Sequence, residues 1–274
     1  MRADDPLKAF PTAENSAADR VKRLNASELR AIKLPGDKNQ LVFSMTVSPP
    51  SEGPQDAAAA TEPWLRVFAD GRIDCSSHDL ATERRDDKLT KDELLWLLHL
   101  AVNECQLLTR STKDIETAYK KENPDPPPKD QPQRNEQYHV NLPSGTNDLI
   151  LPEWALILRS LRGQMKLGAF SSLHTYARYL AARPFLGTSK ERQELLDQLN
   201  ARLKAEKPDL PPFRMEHLGS ALQMKGFDLV AGFEQEIELE PNKFKRVMGT
   251  VMRKQKGMPP EFLIRTMDFS KYRP

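Results

Sequence analysis

The clearest hydrophobic pattern in the chain runs from Leu89 to Leu108, with the sequence LTKDELLWLLHLAVNECQLL. Apolar residues recur there at spacings of three and four, which is typical of one face of a helix. Thr90 is followed three residues later by Glu93, and this spacing predicts a capping box at the helix start. The pattern predicts one amphipathic helix that packs on an apolar partner, and the strand pair just before it is the nearest candidate.

Strict alternation of apolar and polar residues predicts strands on both sides of this helix. Residues 40–48, QLVFSMTVS, predict a strand with one buried face. Residues 64–75, WLRVFADGRIDC, predict a hairpin, because Asp70-Gly71 can supply the positive φ of a tight turn. A charged loop is expected at 76–88. Residues 138–151, YHVNLPSGTNDLIL, predict a second hairpin that adds two strands to the first sheet.

The second half of the chain begins with helices and ends with strands. Helices are predicted at 152–164, 170–183 and 189–206, and Thr188 with Glu191 forms a capping box for the last one. Period-two alternation then predicts strands at 227–240, 243–254 and 261–267. These strands are expected to form a three- or four-stranded antiparallel meander, with the helix at 189–206 crossing its apolar face.

The predicted fold class is therefore α+β, with two tandem units of antiparallel sheet packed on helices. The predicted organisation is an irregular N-terminal segment at 1–38 with a helical patch at 18–32, an α+β module at 39–151, and helices plus the meander at 152–274. A long surface loop is predicted at 49–63. The segment 122–133, ENPDPPPKDQPQ, predicts a stiff extended connector, because proline is excluded from helix interiors and central strands.

Composition narrows the class of partner. The 274 residues are 38% apolar and 29% charged with a formal net charge of +2, which gives no reason to expect nucleic acid or an anionic membrane. No apolar run is long enough for a transmembrane helix. The start, MRADDPLKAF, lacks the basic-then-apolar pattern of a signal peptide, so the chain is either cytoplasmic or a trimmed mature form.

Two cysteines, Cys75 and Cys105, leave two readings open: one disulfide, or two reduced thiols with Cys105 in the core. Cys75 and His78, together with His99 and Cys105, contain the residue types of a zinc site. The spacing argues against such a site, because six residues along a helix turn the side chain by about 240°. No metal ligand and no cofactor are predicted.

No other residue pattern specifies a catalytic site. His139, His174 and His217 have no adjacent nucleophile pattern, and the chain has no phosphate-binding or nucleophile-elbow motif. The alternating carboxylates are expected to form a solvated sheet face next to a basic strand; they are Glu234, Glu236, Glu238 and Glu240. The basic residues are Lys243, Lys245, Arg246, Arg253, Lys254 and Lys256. We expect mutual pairing of the two strands, with Glu240 and Glu238 facing Lys243 and Lys245.

Three of these segments carry a resemblance to a protein family. WLRVFADGRIDC, KLTKDELLWLLHLAVNEC and YHVNLPSGTNDLILP resemble a module of uncharacterised bacterial secreted proteins, in which an ADGR hairpin precedes a helix starting L-T/S-x-x-E-L. The resemblance implies a location outside the cytoplasm and carries no activity and no functional residues. The helix-on-meander halves also look like cystatin-type and protease-inhibitor-type folds, which is an analogy of fold alone.

The sequence thus favours a non-enzymatic binding or structural protein whose partner is another protein outside the cytoplasm. Catalytic, cofactor-binding and metal-binding residues are all predicted to be absent. Three alternatives stay open: a peptidase inhibitor that inserts the loop at 51–62 or the proline-rich connector into a protease, a hydrolase using His78 or His174 with nearby carboxylates, and a cytoplasmic adaptor. The oligomeric state is not specified.

Overall fold

The computed structural model describes residues 17–48, 63–76, 84–115, 117, 135–152, 168–224, 226–240 and 243–270. Their α-helices are α1 (Ala17–Val21), α2 (Ala26–Ala31), α3 (Lys91–His99), α4 (Gly168–Ala182) and α5 (Ser189–Glu206). The first six strands are β1 (Leu41–Ser48), β2 (Leu65–Phe68), β3 (Arg72–Ser76), β4 (Arg84–Lys88), β5 (Asn135–Leu142) and β6 (Gly145–Pro152). The last four are β7 (Leu218–Met224), β8 (Phe227–Glu240), β9 (Lys243–Arg253) and β10 (Glu261–Ser270). The α+β class with two tandem antiparallel sheets is confirmed.

Several predicted features lie outside the described residues. They are most of the loop at 49–63, the proline-rich connector at 122–133, nearly all of the helix at 152–164, and His78. The helical patch predicted at 18–32 is two short helices, α1 and α2. Within the described segments, no helix combines the length and the apolar character needed to cross a membrane.

The first sheet has the strand order β4-β3-β2-β1-β5-β6. Both predicted hairpins form, and β5 pairs with β1, so the second hairpin extends the first sheet as predicted. The prediction of a charged loop at 76–88 is wrong for its last five residues. They form β4, which pairs with β3 at the edge of the sheet. An ion pair between Arg84 Nε and Asp74 Oδ1, 2.7 Å long, links the two strands. An edge strand held by cross-strand charges does not show the apolar alternation of a half-buried strand.

The prediction of a half-buried β1 is wrong. Val42, Phe43, Ser44, Met45 and Thr46 are all buried, although they point alternately to opposite faces. The strand lies between β2 and β5, so it is central in its sheet. Its small hydroxyl residues are covered rather than solvated.

The turn of the first hairpin fixes the start of α3. Gly71 has φ 87°, and its N–H donates to Phe68 O over 2.9 Å. The N–H of Leu89 donates to Gly71 O, also over 2.9 Å, and a Cβ on Gly71 would lie 2.8 Å from Leu89 O. Only glycine allows both the left-handed conformation and this close approach.

Helix α3 begins as predicted and ends earlier. The capping box forms, with Thr90 N–H donating to Glu93 Oε2 over 2.8 Å and Glu93 N–H donating to Thr90 Oγ1 over 3.2 Å. After His99 the helix widens into a π turn at Leu100–Glu104. The π turn shifts the helical phase, and both His99 and Cys105 are buried.

Helix α4 lies between the two sheets. On one side the rings of Tyr138 and Phe170 meet edge-on with centroids 5.9 Å apart, which joins β5 to the helix. On the other side α4 packs against β7. The buried apolar side chains of both sheets therefore form one continuous cluster.

The second sheet is a four-stranded meander with the order β10-β9-β8-β7, as predicted. Glu240 lies opposite Lys243, which is the expected pairing. A register shift between Glu238 and Glu240 places Glu238 opposite Phe244, so the expected pairing of Glu238 with Lys245 is wrong. An irregularity in the ladder moves every pair on one side of it by a residue, and the sequence alternation does not reveal it.

Helix α5 covers one face of this sheet, as predicted. Its buried leucines are Leu195, Leu196, Leu199 and Leu203. A Cβ built on Gly249 of β9 would lie 2.8 Å from Phe213 Cε2 and 3.1 Å from Leu199 Cδ1. We call this covered side the inner face and the opposite side the outer face.

Candidate functional site

The two cysteines are free and buried, so the disulfide reading is not supported. Burial raises the pKa of the Cys75 thiol to about 12. Its Sγ lies 3.3 Å from the carbonyl oxygens of Ala181 and Arg85, which it can reach as a donor. A thiol that stays protonated at neutral pH is neither a nucleophile nor a ready metal ligand.

The candidate zinc ligands do not assemble. Among the described residues, no group of three or more His, Cys, Asp or Glu side chains is arranged to hold a metal ion. The His99 ring is instead held by Glu104, 3.2 Å from Nε2, and by Asn103, whose Nδ2 donates to Nδ1 over 3.0 Å. The hydrogen bond from His99 lowers the pKa of Glu104. With Trp96 stacked on the ring at 5.0 Å, His99 serves the packing of α3.

Two further histidines also have structural partners. His139 Nδ1 lies 2.9 Å from Asp148 Oδ1, across the β5–β6 hairpin. His217 Nδ1 accepts a hydrogen bond from the N–H of Arg214 over 3.1 Å. Burial, helped by the charge of Arg214, lowers the pKa of His217 to about 4, so this ring is a neutral acceptor at neutral pH.

His174 is the candidate that the structure brings next to a carboxylate. Its Nδ1 lies 2.9 Å from Glu136 Oε1, an ion-pair contact whose angle is outside the hydrogen-bond range. Tyr138 donates to the other oxygen of Glu136 over 2.6 Å. Burial lowers the pKa of Arg178, and the charges of Glu136 and Glu234 oppose that shift. These groups form a polar cluster between β5 and α4.

Sequence reasoning identified His174 and missed Glu136. A signal was present, because Glu136 occupies the same alternating phase of its strand as Tyr138, Val140 and Leu142, all of which are buried. A glutamate at an inward position predicts a buried polar contact. Within the described segments, no hydroxyl or thiol is hydrogen-bonded to His174, so the cluster contains an imidazole beside a carboxylate but no nucleophile.

A second polar cluster, also missed, joins the two halves of the chain. Arg183 is buried; its Nε contacts Asp87 Oδ2 and its Nη1 contacts Glu93 Oε1, both at 2.8 Å. Arg192 Nη1 reaches the same oxygen of Asp87 at 3.1 Å. Lys88 O lies 3.4 Å from Arg183 Nη2. This cluster, which we call the Arg183 junction, ties β4 and α3 to the start of α5.

The outer face of the second sheet has a different character. Residues that lie opposite one another form rows across β8, β9 and β10. One row contains Val230 and Met252, and the next contains Gly232, Thr250 and Leu263. The two rows after that contain Met248 and Met267, respectively. Four of the nine methionines in the chain lie in the β9–β10 hairpin. We call this surface, formed by Val230, Met248, Thr250, Met252, Leu263 and Met267, the methionine face.

Two glycines show that the methionine face is open. A Cβ on the inner-face Gly249 would clash with Phe213, whereas a Cβ on the outward Gly232 would meet only Ser220 Oγ, at 3.1 Å, among the described residues. Leu263 and Met267 are 38% and 54% exposed. The inner face is therefore part of the core, and the outer face presents apolar side chains to solvent.

The charges around the methionine face are largely paired: the pairing predicted between the acidic and basic strands forms at Arg246, and other cations pair with carboxylates outside the predicted set. Arg246 contacts Glu236 at 2.9 Å and Glu234 at 3.1 Å, and the hydrogen bond that Arg246 donates to Glu236 raises the pKa of Arg246. Other members pair as Arg253 with Asp228 at 3.1 Å, Lys254 with Glu261 at 3.3 Å and Lys245 with Asp268 at 3.7 Å. Arg265 is exposed and has no ion-pair partner in the described part of the chain. Among the described residues of the outer face, Arg265 is therefore the cation that is available to pair with a carboxylate of another molecule.

No family model, no curated protein and no solved structure matches this chain.

Proposed function

We propose that this chain is a non-enzymatic binding protein that docks another protein on the methionine face. The observation that carries the proposal is the contrast between the two faces of one sheet. The inner face is filled by α5 and Phe213, while the outer face leaves Leu263 and Met267 exposed beside Met248 and Met252. Exposed apolar residues with charged side chains beside them, here Arg265 between Leu263 and Met267 along β10, are typical of protein interaction sites.

The side chains of this face suit a protein partner. Complete burial of a leucine or methionine side chain contributes about 1.5–3 kcal/mol of free energy. Because Met267 is 54% exposed, about half of that free energy can still be gained when a partner covers it. Methionine is unbranched and polarisable, so a methionine-rich surface adapts to the shape of its partner. Because the rim charges are already paired, they do not have to be neutralised by the partner. Arg265 then selects a carboxylate next to an apolar patch.

The extracytoplasmic part of the proposal rests on the resemblance to secreted bacterial proteins. The free, buried Cys75 and Cys105 add no support for an oxidising compartment. Detection of the chain in extracytoplasmic rather than cytoplasmic fractions of its source cells supports this location, and the reverse distribution contradicts it.

The binding function is tested by replacing Met248 and Met252 together with glutamine, which has a similar shape and a polar end. Burying two amides without partners is expected to weaken partner binding at least tenfold, which corresponds to about 1.4 kcal/mol. Affinity capture followed by mass spectrometry identifies the partner, and titration measures the change. Ile150→Gln is the matched control, because Ile150 is 44% exposed on the first sheet.

The result expected is capture of the same partner by the native chain and by Ile150→Gln, with loss in the double methionine variant. Equal binding by all three proteins contradicts the assignment of the site to the methionine face. Circular dichroism melts show whether the variants are folded.

A second candidate function is hydrolysis, favoured by the contact of His174 with Glu136. A carboxylate next to Nδ1 stabilises the imidazolium that forms when Nε2 takes a proton, which favours general-base chemistry. Turnover of ester or peptide substrates that disappears in His174→Gln supports this candidate. Turnover that persists in that variant excludes His174 as the base. The loops of the peptidase-inhibitor alternative lie outside the described residues.

A further inference from the structure

We propose that two copies of this chain pair through the free edges of β10, in antiparallel register, with Leu263 opposite Leu263 of the second copy. The inference goes beyond the proposed binding function, because it concerns the edge of the sheet rather than its methionine face. It rests on the exposed edge and on the order of charges along the strand.

Strand β10 is a long and regular edge. It pairs with β9 through ten consecutive residues, from Glu261 to Ser270, without a register shift or an internal proline. No other described strand pairs with it. Natural proteins shorten, bulge or cover such edges, because unpaired backbone groups recruit further strands.

The other sheet edges carry these protections. Strand β4 is five residues long, and all five are charged, RRDDK. Strand β6 is partly covered: Ile150 N–H donates to Thr112 Oγ1 over 3.1 Å, and Asn147 Nδ2 donates to Leu107 O over 2.6 Å. Strand β7 has register shifts in its pairing with β8 and packs against α4. Of these four edges, β10 alone is long and regular and is not covered by any other described strand.

The sequence of β10 selects one register. Directly opposed residues of an antiparallel pair point to the same face, so the two-fold axis must pass through a residue. With the axis at Leu263, Glu261 lies opposite Arg265 of the second copy, and the reciprocal pair forms too. With the axis at Ile264, Glu261 lies opposite Met267, and with the axis at Arg265, two like charges meet. The axis at Leu263 pairs residues 261–265 of the two copies, matches the outer-face charges Glu261 and Arg265, and places no like charges opposite each other.

This register also matches the apolar residues. Phe262 lies opposite Ile264 of the second copy, and both belong to the inner face, where they are partly buried against the core. The product is a continuous eight-stranded sheet. Because the two-fold axis is perpendicular to the sheet, both methionine faces lie on the same side, and a dimer presents two adjacent copies of the proposed binding surface.

A charge exchange tests the register. Arg265→Glu and Glu261→Arg each create two like-charge pairs, and sedimentation equilibrium should show dimerisation weakened about tenfold or more for each variant. An equimolar mixture of the two variants restores both attractive pairs and should form a heterodimer. The variant that carries both substitutions should dimerise like the native chain, which controls for the lost contact of Glu261 with Lys254.

A cysteine pair locates the axis. Opposed Cα atoms of antiparallel strands lie about 4.5–5.5 Å apart, within the range of a disulfide. Leu263→Cys should therefore give a covalent dimer on mild oxidation, while Met267→Cys, away from the axis, should not. Native Cys75 and Cys105 do not interfere, because both are buried.

A native chain that stays monomeric at millimolar concentration overturns the proposal, and so does a mixture of charge variants that fails to associate. Failure of the binding function is separate: partner capture on the methionine face is measured with the Glu261→Arg monomer, because Glu261 has no part in the proposed binding surface. A native chain that stays monomeric yet captures its partner overturns the dimer alone, and a native dimer that captures no partner overturns the binding face alone.

Discussion

Replacing Arg183 with leucine is expected to lower the free energy of unfolding by about 3–5 kcal/mol. Arg183 is buried and holds the carboxylates of Asp87 and Glu93 at 2.8 Å. Removing the cation leaves these carboxylates poorly compensated, because among the described cations Arg192 alone remains beside Asp87, with the N–H of Lys88. Glu93 also belongs to the capping box of α3. If Glu93 is no longer held in place by Arg183, the start of that helix is weakened.

The matched control is Arg202→Leu. Arg202 forms an exposed ion pair with Glu206 one helical turn away. Exposed pairs of this kind contribute about 0.3–0.5 kcal/mol, so the control should melt close to the native chain. Urea unfolding followed by circular dichroism measures both variants. Equal effects of the two substitutions would show that the Arg183 junction is no more than a surface ion pair.

The same junction has a pH signature. Burial alone would raise the pKa of Asp87, but the charge of Arg183, the N–H of Lys88 and Arg192 together hold it below its ordinary value of 3.8. A folded-state pKa below the unfolded value adds stability that is present above the unfolded pKa and is lost as the pH falls through the folded pKa. The stability difference between the native chain and Arg183→Leu should therefore be full at neutral pH and should shrink in acid below about pH 4.

The second large effect is expected at Gly249. A Cβ there would lie 2.8 Å from Phe213 Cε2 and 3.1 Å from Leu199 Cδ1, and both side chains are buried. The ring of Phe213 has no free space to move into, so Gly249→Ala is expected to cost about 1–3 kcal/mol through overpacking. Gly232→Ala places the same methyl group on the outer face, next to the rotatable hydroxyl of Ser220.

The two alanine variants form a matched pair on neighbouring strands of one sheet. Gly232→Ala should be neutral or slightly stabilising, because alanine is less flexible than glycine in the unfolded chain. Thermal melts of both variants measure the difference. An equal loss at both positions would mean that both faces are packed, and the methionine face would then not be open.

Local signals were sufficient for much of the fold. The capping boxes at Thr90 and Thr188 and the turn at Gly71 depend on residues within a few positions of each other, and all three form as predicted. The alternation in β5, β8 and β9 likewise reflects one covered and one open face, which is a property that a single strand can show.

The remaining features depend on residues far apart in the chain. Strand β4 exists because its charges meet Asp74 across the sheet, and the Arg183 junction joins residues about a hundred positions apart. The buried hydroxyls of β1 reflect its central place between two hairpins. The alternation in β8 distinguishes the two faces of the second sheet, but the close packing of Leu199 and Phe213 on Gly249 joins residues far apart in the chain.

Oxidation of methionine by peroxide, read by peptide mass spectrometry, tests the open binding face most directly. In the isolated protein, Met248, Met252 and Met267 should oxidise at least tenfold faster than Met45, whose side chain is fully buried in β1. When the captured partner is added in excess, the three rates should fall towards that of Met45. Face methionines as slow as Met45 in the isolated protein, or rates unchanged by the bound partner, would contradict the assignment.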